Sequence, residues 1–209
     1  FFDVDTLQGC APFEVLFTVD PDTYKSDHNY LTFHWDYGDG TKTDTLMPIV
    51  PKPYPAGSWD TTFVARMTVS NVCDTVSYDT TITVFSAPKV SFALMHEWEC
   101  SPVFLELQNT TTGNNCVFNW TFTNSRTGEV AGETDIRNPE HEFTTDETAT
   151  SYFITLRAEN RCDVDEYTDT LLVKPRQISA HFTPLDNPYA CVNQEILFRN
   201  NSTDTVSTI

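Results

Sequence analysis

Six cysteines constrain this chain more than any other feature, because their spacing repeats. They stand at positions 10, 73, 100, 116, 162 and 191. Cys10 to Cys73 is 63 residues and Cys100 to Cys162 is 62, while Cys10, Cys100 and Cys191 follow one another at intervals of 90 and 91. No pair has the Cys-x-x-Cys form and no histidine cluster accompanies them, so metal binding through sulfur is not indicated. The period, near 90 residues, is longer than a solenoid repeat and suits a string of small disulfide-bearing domains in an oxidising compartment.

The rest of the sequence repeats with the cysteines. Sliding the chain by 89 positions lays Asn71-Val72-Cys73-Asp74 on Asn160-Arg161-Cys162-Asp163, and Val84 on Val173. Upstream, Phe63, Ala65, Met67 and Val69 fall on Tyr152, Ile154, Leu156 and Ala158. Both sets alternate with polar positions at period two, as a half-buried antiparallel strand requires. Each unit therefore closes with a strand, a Cys-Asp turn and another strand, residues 75–84 in the first and 165–173 in the second. The front repeats too, Cys10-Ala11-Pro12-Phe13 being answered by Cys100-Ser101-Pro102-Val103 and then by Cys191.

Proline-marked joints at Ser86-Ala87-Pro88 and Lys174-Pro175-Arg176 divide the chain into units 1–86, 87–175 and 176–209. Such joints favour semi-rigid connections over flexible tethers. The third unit has opening strands but neither a tryptophan strand nor a closing cysteine, which leaves Cys191 without its expected partner. About 35 residues cannot bury a core of their own, so the sequence is expected to be a piece of a longer protein.

Strand-forming residues dominate, seven glycines and twelve prolines punctuate the runs, and no stretch has the 3.6-residue period of a helix. Short strands around a central tryptophan, with a cysteine near each end, predict an all-β chain of tandem immunoglobulin-like antiparallel β-sandwiches. Twelve basic against 30 acidic side chains give a net charge of −18. That argues against nucleic-acid binding, which needs a positive surface. No run approaches the roughly 20 apolar residues of a membrane span, so no membrane insertion is expected.

The segment Phe33-His34-Trp35-Asp36-Tyr37-Gly38-Asp39-Gly40 resembles the signature of the polycystic kidney disease (PKD) domain, an Ig-like sandwich. Pro53-Tyr54, Gly57, the strand through Phe63 to Val69, and Asn71 supply its context, so the resemblance covers essentially residues 1–86. The second unit keeps the tryptophan strand as Phe118-Asn119-Trp120-Thr121-Phe122 and the following segment as Pro139, His141 and Phe143. It replaces the Gly-Asp-Gly turn by Thr123-Asn124-Ser125-Arg126-Thr127-Gly128-Glu129. Trp35 and Trp120 are read as core fillers and Gly38-Asp39-Gly40 as a tight turn.

Within these units Cys10 is expected to pair with Cys73 and Cys100 with Cys162. Cys116 is left either as a buried thiol or as a substitute for one member of the second pair. No catalytic constellation is legible: Asp36 and Asp39 lie on one element, whereas glycosidic carboxylates flank a cleft, and the histidines show no ligand spacing. No cofactor is expected, apart from calcium as a weak candidate on acidic clusters such as Asp163 with Asp165. Trp59, in Gly57-Ser58-Trp59-Asp60, and Trp98, in Glu97-Trp98-Glu99, fall outside the core strands and are candidates for stacking on a sugar or a partner.

Asp-Thr followed by a small or aliphatic residue recurs along the chain and is similar to the O-glycosylation sequon of exported Bacteroidetes proteins. It makes Thr6, Thr45, Thr61, Thr75, Thr80, Thr170 and Thr205 candidate glycan carriers. Together with cysteine-bearing PKD-like units, it resembles the long surface proteins of that phylum, including gliding-motility adhesins and type IX secretion cargo. The resemblance implies a non-catalytic spacer or adhesion module of an exported cell-surface protein. Its partners would be other domains of the same chain and a surface protein or polysaccharide. The alternatives are accessory modules of a secreted peptidase or glycoside hydrolase, or a subunit of an envelope secretion or motility assembly.

Overall fold

The computed structural model describes residues 2–19, 31–45, 51–95, 97–176, 178–185, 191–193 and 195–204. Among them every regular element is a strand, as the period-two patterning requires. The first nine are β1 (Phe2–Val4), β2 (Gln8–Cys10), β3 (Phe13–Val15), β4 (Phe17–Val19), β5 (Thr32–Asp36), β6 (Lys42–Thr43), β7 (Lys52–Tyr54), β8 (Thr61–Ser70) and β9 (Thr75–Phe85).

Five of these form a sheet in the order β2-β9-β8-β5-β6, antiparallel except where β2 runs parallel to β9. Only Leu16 separates β3 from β4, and Val15, Phe17 and Val19 are buried in alternation. This run pairs with β7 at one end and β1 at the other. It faces the large sheet across a single core containing Phe2, Phe17, Phe33, Trp35, Tyr37, Tyr54, Met67 and Ile82. Phe2 and Phe17 meet the Trp35 ring edge-on at 5.1 and 5.8 Å, a geometry the ring quadrupole favours. Two layers closed over one apolar core make a β-sandwich.

The next strands are β10 (Trp98–Cys100), β11 (Val103–Glu106), β12 (Val117–Asn124), β13 (Val130–Thr134), β14 (Glu140–Phe143), β15 (Thr150–Glu159) and β16 (Val164–Lys174). Their large sheet has the order β10-β16-β15-β12-β13, the same connectivity as the first, again with a parallel edge pair. β11 pairs with β14 as β3 does with β7. Trp120 is fully buried and Phe92 meets it edge-on at 4.9 Å. Further on, β17 (Ile178–Ser179) and β18 (Phe182–Pro184) pair with β20 (Thr203–Asp204) and β19 (Phe198–Asn200) respectively, both antiparallel. No helix of the described residues is long and apolar enough to cross a membrane.

By internal contacts the chain gathers into two compact units. One comprises Phe1–Ser91, Thr110–Phe118 and Leu156–Tyr167; the other comprises Phe92–Asn109, Asn119–Thr155 and Thr168–Ile209. The first unit therefore holds, besides the first sandwich, the loop before β12 and the turn between β15 and β16.

Candidate functional site

The acids of the Gly-Asp-Gly turn are occupied by the fold. Asp36 Oδ1 accepts from the Gly38 amide at 3.0 Å and Oδ2 meets Lys42 at 2.7 Å. Asp39 Oδ1 accepts from the Thr41 amide and hydroxyl, while Oδ2 takes the Lys52 ammonium at 2.6 Å. That ammonium also lies over the Tyr37 and Tyr54 rings, at 5.2 and 5.6 Å, and Tyr54 donates to the Tyr37 carbonyl. Burial pushes the Asp39 carboxyl up, but the Lys52 and Thr41 hydrogen bonds outweigh it and hold it below the usual carboxylate range. Burial and the Asp39 charge push the Tyr54 phenol up. Gly38 has φ +76°, and a Cβ there would lie 2.5 Å from the Val64 carbonyl oxygen, so only glycine fits. Both carboxylates of the motif bond backbone of their own turn and a lysine, Asp36 with Lys42 and Asp39 with Lys52.

The disulfide is a correction to the sequence expectation. Cys10 is bonded to Cys162, 152 residues away, with a Cα–Cα distance of 5.5 Å; Cys73 and Cys100 are free thiols. The cause is strand register. Cys10 lies opposite Phe85, the last residue of β9, whereas Cys73 precedes its first residue. Eleven residues at about 3.3 Å each separate the two ends by roughly 35 Å, and a disulfide needs Cα atoms within about 7 Å. Cys100, opposite Lys174 at the end of the equally long β16, is just as far from Cys162.

Around the disulfide, within the first contact unit, lies a cluster of polar contacts that individual motifs did not announce. Asn160 shapes the β15–β16 turn by accepting from the Cys162 and Asp163 amides at 2.9 and 3.3 Å. Its Nδ2 donates to the carbonyls of Ser86, at 2.7 Å, and Asn114, at 3.2 Å. Asn114 Oδ1 accepts from the Asp60 amide at 2.8 Å, and Asp60 Oδ1 in turn accepts from the Ser86 amide at 2.9 Å. The Arg161 guanidinium lies 4.3 Å above the Phe85 ring, where a cation–π contact is favourable. Asp165 Oδ2 accepts from the Val90 amide at 2.7 Å. The connection at 86–90 is thus bonded at both ends. The sequence signal for the cluster was the repeated Asn-x-Cys-Asp turn; Asp60, Ser86 and Asn114 carried none.

The other candidates are placed separately. Asp163 accepts from the Val164 amide and Asp165 from Val90, so both weak calcium candidates serve backbone amides. Among the described residues no group of three or more His, Cys, Asp or Glu could hold a metal ion. Trp59 is half-exposed and its carbonyl accepts from Thr61. Trp98 lies on the edge strand β10, half-exposed, with the Lys174 ammonium 4.3 Å above its ring. Thr6, Thr61, Thr75 and Thr170 are exposed, Thr45 and Thr80 half-buried, and Thr205 lies outside the described residues. The preceding aspartate accepts from the amides of Thr6, Thr75 and Thr170, which gives Asp-Thr a local structural use. Cys116 donates toward the Gly113 carbonyl at 3.4 Å, and Cys191 is exposed.

No family model matches this chain, and no curated protein sequence does. Solved structures similar to it include fibronectin(III)-like modules of Clostridium thermocellum CbhA, at 14% identity and TM-score 0.30, covering 84% of this chain and 94% of that one. The four N-terminal Ig domains of Dscam1 isoform 7.44 match at 13% identity and TM-score 0.43, covering 82% of this chain and 45% of that one. Extracellular domains 3–5 of Drosophila OTK match at 9% identity and TM-score 0.30, covering 95% and 74%. The chain spans under half of the Dscam1 structure. The sandwich assignment rests on strand order and buried faces, and these distant likenesses add nothing about activity or partners.

Proposed function

We propose that this chain is a non-catalytic segment of an exported bacterial cell-surface protein, in which PKD-like sandwiches, divided near Ser86 and Pro175, are locked in series as a stiff acidic spacer. The Cys10–Cys162 disulfide is the observation that carries this reading. A bond inside one sandwich would stabilise that sandwich alone; this one ties the front edge of the first repeat to the closing turn of the second. On the chain-entropy estimate, closing a loop of 152 residues is worth about 5 kcal/mol. The Asn160, Asn114 and Asp60 hydrogen bonds gather around the same disulfide. A charge of −18 opposes self-association and collapse onto anionic surfaces. Exposed Thr6, Thr61, Thr75 and Thr170 are accessible for the glycosylation that the resemblance implies. The presence of a disulfide supports export to an oxidising compartment.

Small-angle scattering of the intact chain, oxidised and then reduced, tests the spacer. The oxidised chain should scatter as one stiff particle whose maximum dimension is independent of salt, and reduction should broaden its distance distribution. An oxidised chain that already scatters as a flexible string would overturn the reading. So would a catalytic activity retained by the isolated chain.

A further inference from the structure

The joint uses one element from each of two repeats, and the chain carries each element a second time. The turn at 71–74 matches the turn at 160–163 bond for bond. Asn71 Oδ1 accepts from the Cys73 and Asp74 amides at 2.8 Å, and Asp74 caps the Thr75 amide at 2.7 Å. The Asn71 amide donates to the Asp74 carbonyl at 2.9 Å, as Asn160 does to Asp163 at 3.0 Å. The edge repeats as well: the Ala11 amide donates to the Phe85 carbonyl at 2.9 Å, and the Ser101 amide to the Lys174 carbonyl at 2.8 Å. Both edges run parallel to the last residues of a long strand. What differs is occupancy. Cys10 and Cys162 are joined, whereas Cys73 and Cys100 are free, and Val72, which stands where Arg161 does, is 92% exposed.

We propose that the 71–74 turn and the Cys100 edge are the two halves of a second joint of the same kind, each docking on another repeat, with Cys73 of one copy of this chain bonding Cys100 of the next. The residue exchanges are mutually consistent. In the closed joint a cation on the turn, Arg161, meets an aromatic on the edge, Phe85. In the open pair the edge holds the cation, Lys174, and the turn offers apolar Val72, so no two cations face each other. Pro175, in place of Ser86, keeps the backbone carbonyl that an asparagine Nδ2 on the incoming turn needs. The contact is heterologous, so copies add head to tail, as a ring where the rotation closes and as an open series where it does not. Bond formation is thiol–disulfide exchange: the Cys73 thiolate displaces glutathione from a Cys100–glutathione mixed disulfide, and overall two thiols lose two electrons and two protons to oxidised glutathione, which becomes two thiols. This inference goes beyond the spacer reading and does not depend on it.

The test is oxidation of the full chain at about 1 mM, the effective concentration of a short tether, in a glutathione buffer with about 0.5 M salt to screen its charge. Non-reducing gels should show a ladder of covalent multimers, and peptide mass mapping should join Cys73 to Cys100 while Cys10 stays on Cys162. Cys73→Ser and Cys100→Ser should each abolish the ladder alone, yet their mixture should give a dimer that grows no further. A ladder that survives Cys100→Ser, linkage through Cys73–Cys73 or Cys191, or monomers with both thiols capped by glutathione would overturn the proposal. The scattering of the oxidised monomer reads the Cys10–Cys162 joint separately, so the two readings fail independently.

Discussion

The Asp39 carboxylate and the Lys52 ammonium meet at 2.6 Å, each side chain only 9% exposed, and fasten the turn after β5 to the start of β7. Removing one partner leaves a buried charge uncompensated. Lys52→Met should therefore cost about 3–5 kcal/mol, and Asp39→Asn combined with Lys52→Met should recover most of it. Urea unfolding of the two variants checks this. The Asp39 pKa is held below its ordinary value, so its contribution is complete above the unfolded pKa, near 4, and disappears as pH falls through the folded value. Asp39→Asn should flatten that acid limb.

His141 stacks on Phe122 at 4.1 Å and meets the Phe143 edge at 4.6 Å. Gly132 makes room for it, since a Cβ there would lie 2.6 Å from the imidazole Cε1. Burial pushes its pKa below 6.5. The unfolded chain then binds the extra proton first, so stability is full above pH 6.5 and falls as pH drops below it toward the folded value. Melting temperatures between pH 7.5 and 5 should decline, and His141→Phe should remove part of that slope.

The two core tryptophans are not equivalent. Trp35 Nε1 donates to the Thr45 carbonyl at 3.1 Å, whereas Trp120 Nε1 is buried with no partner among the described residues. Trp35→Phe loses packing and a hydrogen bond, while Trp120→Phe loses packing and relieves an unsatisfied donor. Trp35→Phe should be the costlier by about 1–2 kcal/mol in denaturant unfolding.

Asn160 and Asn71 shape identical turns, but only Asn160 reaches across to Ser86 and Asn114. Asn71→Ala should therefore cost roughly 1 kcal/mol, and Asn160→Ala more, because it also takes the donor from the Ser86 and Asn114 carbonyls. Only Asn160→Ala should speed amide hydrogen exchange at Ser86 and Asp60.

Much of the architecture was legible because it is written locally. The alternation through Ala65, Met67 and Val69, and through Ile154, Leu156 and Ala158, reports which face of a strand meets the core, and the structure buries those residues. Trp35 and Trp120 announced their core positions by size and spacing, and Gly38 announced a backbone that other residues cannot adopt. The polar joint was not legible in this way. The repeated Asn-x-Cys-Asp turn marked Asn160, but nothing in the sequence around Asp60, Ser86 and Asn114 says that they meet it.

The cysteines divide the two kinds of information most sharply. The order of residues alone showed that they belong to a repeat, that the repeat is a β-sandwich, and that the first two copies each place one cysteine near the front and one in a closing turn. Which sulfur meets which was decided by tertiary structure. Parallel pairing sets Cys10 beside the far end of β9, a strand's length from Cys73, and a covalent bond a few ångströms long cannot span that distance. Near-equal spacing within the first two repeats therefore recorded equivalence, not contact, and Cys10 finds its partner in the turn of the following repeat.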